Sequence, residues 1–181
     1  MMTMTTMNTR QKRTITPCAE GSVNCRLVGK TGESVEFCSK HNMTTYAAAD
    51  AVAAAYAGDS AYIPKKIAFI FGDSPSVTSG YTRETTWGDV KNDNSYVITG
   101  FSYAPTLSSD DDVYKFNKIT FHGRTEDIPD NKYVYKACLL GKGTGGADYS
   151  LLAVVDLGVD GTYKPKPQDF EMSIDWAVKF R

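Results

Sequence analysis

The clearest pattern in the chain lies at its end. Phe170, Met172, Ile174, Trp176, Val178 and Phe180 alternate with Glu171, Ser173, Asp175, Ala177, Lys179 and Arg181. Successive side chains of a strand point to opposite faces, so this period of two predicts a half-buried strand with Trp176 on its apolar side. Val23, Cys25 and Leu27 alternate in the same way with Asn24 and Arg26. A Gly29-Lys30-Thr31-Gly32 turn follows, and Val35 and Phe37 then flank Glu36. This segment reads as a β-hairpin with Cys25 packed in the core. Ile67–Phe71 and Leu151–Val155 are unbroken apolar runs of five residues, as in strands buried on both faces. Tyr96–Tyr103, Tyr133–Leu140 and Tyr149–Leu157 predict further strands. In Val113–His122, Tyr114 and Phe116 are out of phase with Ile119 and Phe121, which predicts a β-bulge near Asn117–Lys118.

One segment has helical character. Residues 44–57 are dominated by alanine, Thr44 or Thr45 can cap them, and Gly58 ends them. The helix is about 20 Å long. Its predicted contact face is alanine with Tyr46, Val52 and Tyr56. Everything after Gly58 reads as strands and turns. About eight or nine strands with one short Ala-rich helix predict a mainly β fold, an antiparallel β-sandwich. We divide the chain into an extended N-terminal arm, residues 1–20, and a single domain, residues 21–181. Met1–Arg13 has no Leu, Ile, Val or aromatic residue, so it adds little to a core. Such a segment becomes ordered against a partner, and a neighbouring subunit is the simplest one.

Composition narrows the function classes. A chain of 181 residues suits one domain. Its 20 Lys+Arg balance 21 Asp+Glu, which leaves no basic field for nucleic acid. No apolar run approaches the roughly 20 residues of a membrane-spanning helix, and no secretory signal is expected from Met1–Arg13. Cysteines stand at 18, 25, 38 and 138. A chain this large does not need a disulfide framework, so they read as reduced thiols.

Candidate chemistry is sparse. Gly72-Asp73-Ser74 follows a buried strand and resembles the opening block of the GDSL hydrolases, in which Ser74 would be the nucleophile. A serine hydroxyl needs a base. That family places Asp-x-x-His near the C-terminus, whereas the histidines here are His41 and His122, and neither follows Asp-x-x. Ser74 therefore reads as a turn residue with its hydroxyl bonded to nearby backbone, and His122 reads as facing solvent. Gly29-Lys30-Thr31 lacks the first glycine of a P-loop. Cys18, Cys25, Cys38 and His41 have the ligand types of a Cys₃His zinc site without a C-x-x-C knuckle. Asp110-Asp111-Asp112 could meet a hard cation but lacks EF-hand spacing. Gly141–Gly146 reads as a loop. No catalytic residue, metal site or cofactor is expected.

Several segments occur in a recognisable order. A hairpin is followed by the small-residue helix Thr45–Gly58, then Ile67–Gly72, Thr82-Arg83-Glu84, Tyr135–Gly141 and Leu151–Leu157. Lys164-Pro165-Lys166-Pro167 then leads into Ile174-Asp175-Trp176-Ala177-Val178-Lys179-Phe180. This order resembles that of small tailed-bacteriophage virion proteins over about residues 21–181. The resemblance implies a non-enzymatic fibre, baseplate or capsid-decorating component. Such a protein would be located in the virion and assembled in the host cytoplasm. Its partners would be further copies of itself and other virion proteins held through residues 1–20. A host-surface glycan or receptor is the alternative partner, and loop positions of Tyr81, Trp87 and Tyr163 would favour it. A hydrolase using Ser74 is a second alternative.

Overall fold

A computed structural model describes residues 19–76, 80–92, 94–110 and 116–180. The chain forms β1 (Ala19–Gly29), β2 (Ser34–His41), β3 (Met43–Thr44), α1 (Tyr46–Tyr56), a 3-10 turn (Ser60–Tyr62) and β4 (Lys66–Gly72). It continues with α2 (Trp87–Lys91), β5 (Ser95–Thr99), β6 (Thr106–Asp110), β7 (Phe116–Thr125), β8 (Tyr133–Lys142), β9 (Tyr149–Asp156) and β10 (Phe170–Phe180). The strands make two sheets of five. Sheet A has the order β2-β1-β10-β7-β6, and sheet B the order β3-β9-β8-β4-β5. The strand pairings among the described residues are antiparallel, so the mainly β, antiparallel sandwich expected from the sequence is the fold.

The alternating strand β10 lies at the centre of sheet A, paired with β1 and β7 on either side. Its inward residues Met172, Ile174 and Trp176 are fully buried. Across the register they meet Val23 and Phe121, with Cys25 and Leu27 farther along β1. Sheet B answers with Ile67, Phe69, Phe71, Val134, Ala137, Leu139, Ala153 and Val155.

A second core lies on the other face of sheet B. Ala68, Ile70, Cys138, Leu140, Leu151 and Val154 pack there with Trp87, Val90 and Tyr163. This explains the unbroken apolar runs: β4 and β9 bury both faces, one against sheet A and one beneath α2 and the segment after β9. Trp87 and Tyr163 were expected in exposed loops, yet each is only 4% exposed. Tyr81 is half-buried beside them. Asp156 ties this layer down. Its carboxylate accepts from the Tyr163 hydroxyl at 3.0 Å, and its N–H donates to the Tyr81 hydroxyl at 3.2 Å.

Other expectations are corrected. β1 begins at Ala19, so Ala19 and Glu20 belong to sheet A and not to an arm; residues 1–18 lie outside the described residues. The short helix α2 falls where only strands and turns were expected. Thr86 accepts from the Asp89 N–H and Asp89 accepts from the Thr86 N–H, a complete capping box. The bulge predicted at Asn117–Lys118 is not there, since β7 keeps one register with β10 from Asn117 to Thr125. Tyr114, half of that phase argument, lies outside the described residues. Register shifts occur instead at Cys25/Arg26, Ile70/Phe71 and Leu139/Leu140. Gly141 and Lys142 continue β8, which shortens the predicted glycine loop.

Candidate functional site

Helix α1 carries the largest correction. Its predicted contact face is alanine with Tyr46, Val52 and Tyr56; Ala51 is buried as that requires, but the three larger residues are 57%, 42% and 91% exposed. With alanine on every side, the sequence gives no apolar stripe by which to choose a face. What fixes the helix is Thr45. Its N–H donates to the Leu152 carbonyl at 3.0 Å, and its hydroxyl donates to the Leu151 carbonyl. Thr45 therefore spends its side chain on β9 and makes no helix-capping bond.

Ala48, Ala51, Val52 and Ala55 share one side of α1 by helical spacing. They face an apolar groove of about 710 Å³. Leu107 of β6, Ile119 and Phe121 of β7 and Val178 of β10 form its wall from sheet A. Leu139 of β8 and Leu152 and Ala153 of β9 form its wall from sheet B, and Ile63, Pro64 and Pro105 lie at its edge. The volume falls within the range of roughly 300–1,000 Å³ that ligand pockets occupy. Its cause is local. Alanine side chains are too short to reach the inner face of sheet A, and β3, the edge strand of sheet B, is only two residues long. The sandwich is consequently unsealed at this end, and Leu107 is 71% exposed.

The outer face of sheet A is polar. His122 Nδ1 lies 2.6 Å from Asp175 Oδ1 across the β7–β10 register, and Arg26 pairs with the other oxygen of Asp175. The Thr106 hydroxyl lies 3.4 Å from His122 Nε2, and Tyr103 stacks on the imidazole at 4.1 Å. His122 is thus on the solvent side of the sheet, as its phase predicts, but covered. Arg124 pairs with Glu171 beside it. Such cross-strand pairs bind neighbouring strands together. The Thr106 contact is long and gives the hydroxyl little activation.

Ser74 is placed as the turn reading requires. Its hydroxyl donates to the Ser76 carbonyl at 2.8 Å. Its backbone is clasped by Tyr135, whose hydroxyl donates to the Ser74 carbonyl at 2.9 Å and accepts from the Ser74 N–H at 3.1 Å. The neighbouring Asp73 pairs with Lys132. The imidazole of His122 is committed to sheet A, on the opposite side of the main core from this turn.

Of the suggested zinc ligands, Cys18 lies outside the described residues. Cys25 and Cys38 are register partners across β1 and β2, both buried in the main core. His41 pairs instead with Ser22, three residues nearer the start of β1. Burial raises the Cys25 and Cys38 thiols above their ordinary pKa and pushes Cys138 up to about 12. These three are free thiols with core surroundings. Among the described residues, no group of three His, Cys, Asp or Glu is placed to hold a metal. Asp111 and Asp112 of the acidic loop lie outside the described residues. No helix among them is long and apolar enough to cross a membrane.

The groove is therefore the site that sequence reasoning missed. Its one local signal is Leu107, a lone aliphatic residue in the otherwise polar Thr106–Asp110. Compared with family models, with curated proteins and with solved structures, the chain matches none of them.

Proposed function

We propose that this chain is a non-enzymatic structural protein of a tailed-phage particle, a capsid-decorating, head-fibre, tail or baseplate component. In this reading it acts in the virion, in many copies, and assembles through its N-terminal arm. The observation that carries the reading is the surface at the open end of the sandwich. Val52, Tyr56 and Leu107 are exposed and line an apolar groove, and grouped exposure of this kind marks an interaction surface. The placement of Ser74, His122 and the described cysteines supports the non-enzymatic part, since each is taken up by turn, sheet or core.

Binding to a host glycan is less well supported, because Trp87 and Tyr163 are spent on the second core. The test is quantitative mass spectrometry of purified particles produced from a genome that encodes this chain. Many copies per particle, present after stringent washing, are expected. Its absence from particles that are otherwise complete would overturn the proposal.

A further inference from the structure

We propose that the apolar groove between α1 and the two sheets receives the N-terminal segment, residues 1–18, of a neighbouring copy of the chain. This rests on the assembly reading above and names the place where the arm docks. The first argument is position. Ile119 pairs with Leu107 on one side and Val178 on the other, and Val178 pairs with Gly21. One row of the inner face of sheet A therefore runs from the groove wall to β1. Ala19 lies two residues from that row, about 7 Å along the strand. The eighteen residues before Ala19 thus begin at the end of the sandwich where the groove opens.

The second argument is reach. β1 stays paired with β10 up to Ala19 and Phe180, so the described strand ends at the rim of sheet A with eighteen residues before it. Eighteen extended residues reach about 60 Å, ample to cross from one copy to the next.

The third argument is chemistry. Residues 1–7 are Met1, Met2, Met4 and Met7 with threonine at positions 3, 5 and 6 and no charged side chain, and Arg10, Lys12 and Arg13 follow before Ile15. Methionine is unbranched and adaptable, and it fills irregular apolar gaps. The groove is such a gap, with aliphatic walls and no charged residue lining it. A segment with no core of its own meets a core with missing side chains.

The test uses full-length chains and their mass by light scattering. One pair of variants spoils the groove: Leu107→Asp and, separately, Val52→Asp, both at exposed positions that the fold tolerates. A third variant, Met4→Asp with Met7→Asp, spoils the segment. Wild-type protein should show a multiple of 19.8 kDa, and each variant alone should fall to the single-chain mass with an unchanged melting temperature. An equimolar mixture of the Leu107→Asp variant and the segment variant should recover a two-chain species, because one intact groove meets one intact segment. If both groove variants keep the wild-type mass while the segment variant loses it, this inference falls and arm-driven assembly stands. If the segment variant keeps the wild-type mass, the assembly reading falls as well. A wild-type chain that stays single at every concentration, or a mixture that recovers nothing, would also overturn the docking.

Discussion

Truncating Trp176 to alanine is the sharpest test of the main core. The indole is fully buried in the central strand of sheet A, between Val23 on one side and Phe121 on the other. A buried tryptophan of about 250 Å² at about 25 cal/mol/Å² gives an upper limit near 6 kcal/mol. The alanine keeps part of that, and the core relaxes only partly into the space, so a loss of about 3–5 kcal/mol is expected. For a domain of this size each kcal/mol shifts the melting temperature by about 2–4 °C, so a fall of roughly 6–20 °C should follow. A second substitution separates packing from polarity. Trp176 Nε1 is buried with no hydrogen-bond partner among the described residues, and an unpaired buried donor costs about 1–3 kcal/mol. Trp176→Phe removes that donor along with some volume, so the two effects oppose each other. The phenylalanine variant should melt within a few degrees of wild type. Thermal unfolding followed by circular dichroism reads both. Equal losses for Ala and Phe would refute the reasoning, because they would mean that Nε1 carries the stability. No loss for Ala would mean that the inner face is not packed.

Three further outcomes follow from single sites. Thr86→Ala should cost about 1 kcal/mol by breaking the α2 capping box. The Thr86 hydroxyl and N–H hold the Asp89 carboxyl below its ordinary 3.8, so this contribution is present above that pH and lost as pH falls through the lower folded value; the gap between Thr86→Ala and wild type in thermal melts should narrow in strong acid. Cys25 and Cys138 should resist iodoacetamide in the native state at pH 8 and react in denaturant, read by peptide mass mapping; rapid native labelling of Cys138 would contradict its burial. A fluorophosphonate probe should leave Ser74 unmodified, and stoichiometric labelling that disappears in Ser74→Ala would overturn the non-enzymatic proposal.

Much of the fold was legible because its strands are strongly patterned. β10 alternates without a fault, and β4 and β9 are apolar on both faces. The unbroken runs said that something covers both faces, but periodicity cannot say what. Tyr163 and Trp87 looked like loop aromatics because the layer that buries them has no regular period of its own. The capping box Thr86-x-x-Asp89 was the available signal for α2, and it is a short one. The face of α1 was misread for a different reason: its orientation is set by one threonine bonding to β9, with no pattern within the helix to reveal it. The bulge argument failed because β7 holds one register with β10 from Asn117 to Thr125, so a change of apolar phase along a strand need not mark an inserted residue. The groove was not legible, since six strands and one helix contribute to it, each strand with one or two side chains. Leu107 is unremarkable in sequence and conspicuous only once β6 is known to be an edge strand.

The central claim is assembly through the N-terminal segment, and competitive incorporation tests it most directly. Wild-type chain and the Met4→Asp, Met7→Asp variant, distinguished by mass, are supplied together during particle production, and their ratio in purified particles is compared with their ratio in the cell. The account predicts that particles contain wild-type chain almost alone, although both chains fold with the same melting temperature. Equal incorporation of the two would contradict it.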